Sequence, residues 1–562
     1  KDNWNHTLHI GNYSTDWYCS NTGYDSKNTG DCFCSGNNSI VLCIFSSWSW
    51  NHHSWNYCVY ERREKAATNW RRIYLSEKIP IRNIYFKRKI LPIEIFHNVL
   101  NDSYKLSHDL NSPVLSVVIG TKPDFYKQAP VMIEALHQKL PAFVIDTGQH
   151  FDDLLGFGIQ EFELQDHIAC NLQIRGDLME KASELILKFG SFGRYLKKNF
   201  GNFSQLLPIV HGDTLVAGIA PLAWVFGMGQ KVAQNEAGLR SMSPESIKYL
   251  KVNEDPTKSS VEKFVDSQFE GRWFLAREEP FPEQIDTWIC SAGTQFFFAP
   301  TQLNKDNLVR EGYPEEFIHV VGNSVVDAIE IKRKNKPNTS LFDQYPKLET
   351  GEWLRIDIHR RENLTEHRFS SIIKSISYLI KNTDYKLVLI MLNAMKSALR
   401  SYHLEQNLLN LAKEYPHKFM ITPLWKEYSH VIEFLDSGHC WAEMTDSGSM
   451  QEELLYFPNV LSLTVRLNTD RPETIFDARG NILIPPVNSS WITTLIDEAF
   501  NRKEGLGFEL KKKRKIYGQP GTVSKNIVKI VKKEFENGDA NFYPWLHQRI
   551  GLWKEKQIID YL

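Results

Sequence analysis

Val210-His211-Gly212-Asp213-Thr214 closes the apolar run Leu206 to Val210 and opens another, Leu215 to Val225. Thr445-Asp446-Ser447-Gly448-Ser449-Met450-Gln451-Glu452-Glu453 does the same after Cys440 to Met444. In both places a strand-like run ends in small residues and a helix-like run follows. This is the layout in which loop N–H groups and a helix N-terminus hold a phosphate. Two such units more than 200 residues apart predict two Rossmann-like lobes facing one nucleotide.

Working outward, Val114 to Ile119, Ala142 to Asp146, Leu206 to Val210, Lys231 to Asn235, Thr294 to Ala299 and His319 to Val321 read as strands, with helices at Lys127 to Lys139 and Leu215 to Val225. The polar stretch 334–340 reads as a linker. Beyond it Leu354 to Ile358, Lys386 to Met391, Phe419 to Thr422, Cys440 to Met444 and Val460 to Thr464 repeat the alternation, with a helix at Phe369 to Leu379. Strand–helix alternation favours an α/β fold of parallel, helix-covered sheets with ligands at the carboxyl ends of the strands. The expected organisation is an irregular extension over 1–90, a first Rossmann-like domain over 91–333, a second over 334–519, and closing helices over 520–562 that pack back on the first lobe. An amphipathic helix from Leu91 through Leu106 leads into the first lobe. The extension is rich in Asn, Ser and Trp without sustained periodicity, so it reads as disordered or as a shifted reading frame, carrying no catalysis.

Lys and Arg number 66 against 67 Asp and Glu, which gives no basis for a nucleic-acid partner or an anionic membrane surface. No apolar run approaches the roughly 20 residues that cross a bilayer. The chain begins at Lys1 without a signal-peptide pattern, and the reading is a cytoplasmic protein. Five of the eight cysteines precede residue 60, but Cys32-x-Cys34 lacks the second pair that a zinc site needs, so no metal is expected. The basic run Lys511 to Lys515 reads as a solvated face.

From about Val114 to Val531 the chain resembles the non-hydrolysing UDP-N-acetylglucosamine 2-epimerases through eight motifs in that family's order. They are Gly120-Thr121-Lys122-Pro123, His211 to Thr214, Glu236-Ala237-Gly238-Leu239-Arg240, Pro282-Glu283, Val321 to Ala328, His359-Arg360-Arg361-Glu362-Asn363, Thr445 to Glu453, and Asp470-Arg471-Pro472-Glu473. The resemblance implies a GT-B-like fold, two Rossmann-like domains around a central nucleotide-sugar cleft. It implies an isomerase without cofactor that interconverts UDP-GlcNAc and UDP-ManNAc by reversible loss of UDP through 2-acetamidoglucal, serving polysaccharide synthesis. A homodimer is the default expectation. An epimerase of a related UDP-2-acetamido sugar, a GT-B glycosyltransferase, and a UDP-sugar-binding regulator without turnover are the alternatives.

Such chemistry needs a carboxylate on each face of the sugar and cations at the departing diphosphate. The resemblance assigns the carboxylates to Asp213, Glu236 and Glu283, and the leaving-group position to His359. Taken alone, Asp213 equally suits capping the helix at Leu215, while Glu236 and Glu283 suit solvated loops. His359 and Arg360 directly follow a strand, within reach of a diphosphate. The UDP-sugar-binding set is completed by Lys122, Lys127, Ser447, Gly448, Ser449 and Arg471, with Glu453 accepting from the ribose hydroxyls. Arg471 and Glu473 form the closing loop.

Four departures stand out. Lys122 replaces an Arg and loses its bidentate fork. Ser449 replaces a Gly. Residues 241–279 form a long polar insertion, either a lid over the sugar or a surface excursion. Gln149 and His150 match half of an activator site, but Met391 stands where the other half has a His, so simple hyperbolic kinetics are expected.

Overall fold

The computed structural model describes residues 43–45, 56–58, 92–148, 159–201, 205–277, 279–335, 337, 339–425 and 427–536. The chain separates into two units, Lys1–Ile84 and Tyr85–Leu562. In the first, β1 (Cys43–Phe45) and β2 (Asn56–Cys58) pair antiparallel. The rest of the expected extension lies outside the described residues, as do Gln149, His150 and the stretch 537–562.

The second unit contains two large sheets. The first comprises β3 (Glu94–Ile95), β4 (Val114–Ile119), β5 (Ala142–Asp146), β6 (Ile168–Asn171), β7 (Leu206–His211), β8 (Val232–Asn235), β11 (Thr294–Ala299) and β12 (Ile318–Val320), in the order β12-β11-β8-β7-β4-β5-β6-β3. Only β3 runs antiparallel to its neighbour. The second comprises β13 (Trp353–Asp357), β14 (Lys386–Met391), β15 (Phe419–Pro423), β16 (Cys440–Thr445), β17 (Leu461–Thr464) and β18 (Asn481–Leu483), all parallel, in the order β15-β14-β13-β16-β17-β18. Both sheets reverse strand order once, between β4 and β7 and between β13 and β16. Ligands of doubly wound sheets bind outside the carboxyl ends of the strands at such a switch point. The two quoted stretches follow β7 and β16, one at each switch point.

Helix-covered parallel strands are apolar on both faces, and every residue of Val114–Ile119 is buried. Each such Val, Leu or Ile stabilises the fold by about 1.5–3 kcal/mol relative to exposure. Helix Lys122–His137 starts five residues before the predicted start at Lys127. Lys122-Pro123-Asp124 looks like a turn but is a first helical turn: Thr121 and Asp124 cap each other, and Pro in the first turn has no needed N–H to lose. The predicted helix from Leu215 extends to Met228, and its N-cap is Thr214, which accepts from Ala217 N at 3.4 Å. Asp213 is therefore not the cap.

Helix Leu178–Phe200 has no counterpart in the predicted elements. Gly190 and Gly193 interrupt its pattern because helix Leu215–Met228 lies against them: a Cβ on Gly227 would come within 3.3 Å of Gly190 Cα. The insertion is built into the second lobe rather than standing out as a surface excursion. β9 (Met242–Pro244) and β10 (Trp273–Leu275) form an antiparallel ribbon, and helix Lys258–Glu270 docks on the second lobe, where Val261 and Phe264 join the core. Gln268 accepts from Leu483 N at 2.6 Å and donates to Leu483 O at 3.2 Å, covering the edge strand β18. Helix Val523–Glu536 contacts the first lobe: the Asp327 carboxylate accepts from Gly521 N at 2.6 Å and Ser524 N at 2.7 Å, and Lys532 donates to Gln138 O at 3.1 Å.

Candidate active site

The first lobe brings three loops to the cleft. After β4, a Cβ on Gly120 would collide with Val216, so only glycine fits beside helix Leu215–Met228. After β7, Gly212 at φ +62° turns the chain so that Asp213 enters the cleft. After β8, Glu236 adopts φ +61°, rare for a non-glycine residue, and its N–H is held by Asn235 Oδ1 at 3.1 Å. In the second lobe Asp446, fully buried, accepts from His359 N, Arg360 N and Asn363 Nδ2, each at 3.0 Å. This carboxylate shapes the loop that presents His359 and Arg360.

At the centre stands a saturated ionic network that joins the lobes. Lys127 of the first lobe bonds Glu236 and, at 2.5 Å, Glu452 of the second. Arg471 of the second lobe bonds Glu452 at 2.5 Å, Asp470 at 2.7 Å and Glu236 at 3.1 Å. Asn323 also donates to Glu236, at 2.5 Å. His211 lies 3.0 Å from Asp124 through Nδ1 and 3.0 Å from Glu236 through Nε2, the second contact an ion pair off the line of a hydrogen bond. Burial alone would raise the Glu236 carboxyl, but Lys127, Arg471 and His211 together hold it well below the usual range. Burial lowers His211, yet Glu236 and Asp124 outweigh it and lift the imidazole to about 9.

Beside this network is a second cluster with fewer bonds. Glu283, which opens helix Glu283–Ala292, meets Arg360 Nη1 at 2.7 Å through Oε1. Its Oε2 and the Nε of Arg360 are both buried without a hydrogen-bond partner. Asp213 lies 3.7 Å from Arg471. Burial, followed by the charges of Asp470 and Glu283, raises the Asp213 carboxyl to about 6 against the pull of Arg471 and Arg360. Behind them Asp286, buried against Gly218, is raised to about 8 by burial and by Glu283 and Asp213. Carboxyl groups raised toward neutrality, the under-bonded Glu283 and a guanidinium with a free N–H are the parts that proton transfer beside a leaving anion requires.

The expected UDP residues fall on both sides of Arg360. Ser447 caps helix Gly448–Glu453, accepting from Met450 N at 3.5 Å. A Cβ on Gly448 would lie 2.9 Å from Asp470 and 3.6 Å from Arg360 Nη2, so the glycine leaves room beside the guanidinium. Both oxygens of Glu453 are already engaged, by Ser449 Oγ at 2.7 Å and Tyr428 Oη at 2.9 Å, while Tyr428 stacks on Tyr126 of the first lobe at 4.2 Å. Half-buried Lys122 is on this side, its pKa lowered by burial against the charges of Glu161, Asp357 and Glu453. His359 lies 3.3 Å from both Asp357 and Asp446; burial lowers its pKa, but these carboxylates more than reverse the effect.

Asp213, Glu236, Glu283, Arg360, Gly448 and Arg471 thus converge, while Lys127 lies in the buried network rather than on an open surface. Glu473, expected in the closing loop, is fully buried and accepts from Tyr517 Oη at 2.7 Å. Sequence reasoning gave no role to Glu452, Asp470, Asp286 and Asp446. Of these, Asp446, Glu452 and Asp470 stand inside the quoted motifs, and Asp286 lies outside them.

Two Rossmann-like lobes whose switch points face one charged cleft define a GT-B-like architecture. Residues 275–532 match the family model described as UDP-N-acetylglucosamine 2-epimerase. The UDP-N-acetylglucosamine 2-epimerase of Methanococcus maripaludis is 26% identical over 379 residues, covering 66% of this chain and 87% of that one. That of Methanocaldococcus jannaschii is 25% identical over 397 residues, covering 69% and 93%. Among solved structures, the M. jannaschii enzyme in complex with UDP-GlcNAc and UDP superposes with a TM-score of 0.58 at 23% identity, over 75% of this chain and 99% of that one. The Neisseria meningitidis enzyme bound to UDP-GlcNAc gives 0.57 at 24%, over 75% and 99%. Over these stretches the chain is similar to the UDP-N-acetylglucosamine 2-epimerases, a family of isomerases. Among the described residues no helix is long and apolar enough to cross a membrane.

Proposed function

We propose that the protein interconverts UDP-GlcNAc and UDP-ManNAc, with Asp213 and Glu283 as the proton-handling pair. One carboxylate takes the C2 proton, the C–H electron pair becomes the C1=C2 bond of 2-acetamidoglucal, and the C1–O pair leaves with UDP. UDP then returns to C1 while a proton is delivered to the opposite face of C2. Arg360, with His359 beside it, receives the diphosphate charge; Ser447 and Gly448 line its approach; Glu453 turns to the ribose hydroxyls, releasing Ser449 and Tyr428. Glu236, tied to Lys127, Arg471, His211 and Asn323, stays anionic and fixes the cations around the sugar.

The observation that carries this reading is the difference in bonding between the carboxylates. A proton acceptor needs a free lone pair and a pKa within reach of neutrality. Asp213, raised to about 6, meets the second condition, and Glu283, with Oε2 unpartnered, meets the first. The test is incubation with UDP-GlcNAc in heavy water, followed by NMR. UDP-ManNAc with deuterium at C2 is the expected product; binding without C2 exchange, or transfer of the sugar to an acceptor, would refute the assignment.

A further inference from the structure

The insertion enters and leaves the first lobe beside the cleft, and both ends are bonded to the second lobe. At the outgoing end Ser241 Oγ donates to Asn468 at 3.0 Å, and Met242 exchanges two backbone hydrogen bonds of 2.8 Å with Thr469, which immediately precedes Asp470 and Arg471. At the returning end Glu279 accepts from Arg368 Nη2 at 2.9 Å, Arg368 Nη1 at 3.1 Å and Asn468 Nδ2 at 3.1 Å. Phe281 N donates to Glu362 Oε1 at 2.9 Å. Two residues later comes Glu283. The same turn is tied back to the outgoing end by Gln284, whose buried Oε1 accepts from Ser241 N at 2.7 Å. The helix that Glu283 opens packs on helix Leu215–Met228 of the first lobe, so its first turn bridges the lobes.

We propose that Glu279 is a positioning residue: its three bonds to Arg368 and Asn468 hold the first turn of helix Glu283–Ala292 at the height where Glu283 meets Arg360. The bidentate fork from Arg368 fixes direction as well as distance. Asn468 answers to both ends of the insertion, because its Oδ1 also takes Ser241 and, at 2.9 Å, Arg466. The inserted segment thereby couples the Glu283 turn to the Arg471 loop, two parts of the site contributed by opposite lobes. This rests on Glu283 serving in proton transfer.

The test compares wild type with Glu279→Ala, Arg368→Ala and the double variant. A displaced reacting group costs up to about a hundredfold per ångström, so each single change is expected to lower kcat by about tenfold to a hundredfold. KM and the UDP dissociation constant should stay within about twofold, the signature of an interaction lost only in the transition state. The double variant should be no slower than the worse single one. Hydrogen exchange gives a reading independent of turnover: the amides of Phe281, Gln284 and Ile285 should exchange faster in Glu279→Ala while helix Leu215–Met228 is unchanged. Should Glu279→Ala fail to fold, Glu279→Gln, which keeps the bond from Asn468 and loses the charge, is expected to show the same split to a smaller degree. Unchanged kcat and exchange in the variants of an active wild type would overturn the positioning role alone. An inactive wild type would remove the functional reading, and the exchange result would still decide the structural claim.

Discussion

Glu236 and Glu283 reach the same cleft from the same lobe in very different company. Glu236 has 1% of its side chain exposed and answers to Lys127, Arg471, Asn323 and His211. Glu283 has 26% exposed, meets Arg360 alone, and keeps one oxygen without a partner. Saturation fixes a carboxylate in one charge state and one place, because every proton or movement must first break charge-assisted bonds. An under-bonded carboxylate can accept a proton. The cleft thus separates a network that joins the lobes from the cluster to which we assign proton transfer, and the two share Arg471.

The separation can be broken by substitution. Asp213→Asn and Glu283→Gln should each lower turnover by about two to four orders of magnitude, the scale of a lost general acid or base, with little change in UDP affinity by calorimetry. A variant that turns over normally would place its residue outside the proton path. Glu452→Gln should instead strike stability. It replaces one acceptor oxygen of a fully buried carboxyl group, whose two oxygens face Lys127 and Arg471, with an amide NH2, and breaking such a pair costs about 3–5 kcal/mol. The loss would be read as a lower denaturant midpoint; unchanged stability would mean that Glu236 alone suffices for both cations. Gln268→Ala carries a smaller expected loss, about 1–3 kcal/mol for stranding the Leu483 N–H and C=O, and an unchanged midpoint would show that water replaces the amide.

The alternation of apolar runs was enough to place both sheets, since buried parallel strands such as Val114–Ile119 cannot hide their composition. The quoted loops marked the switch points for the same reason: His211-Gly212-Asp213 and Ser447-Gly448 combine a sharp turn with chemistry. Short edge strands such as Asn481–Leu483 offered too few residues for a pattern. Helix Leu178–Phe200 was hidden by glycines that serve helix packing, and the course of the insertion by contacts on residues hundreds of positions away, Leu483 for Gln268 and Asn468 for Ser241. Glu452 illustrates a different limit. Its role depends on Lys127 and Arg471, which arrive from elsewhere in the fold, and no local spacing encodes that.

The pH dependence of C2 deuterium incorporation tests the central claim most directly. Asp213 is raised to about 6 in the free protein, and kcat/KM reports free-enzyme groups. A base must be ionised to act, so wild-type kcat/KM for exchange into UDP-GlcNAc should be level above that value and fall about tenfold per pH unit below it. In Asp213→Asn the residual exchange should lose this limb. A profile that stays flat below pH 6, or a limb that persists unaltered in Asp213→Asn, would contradict the account and move the proton path to another carboxylate.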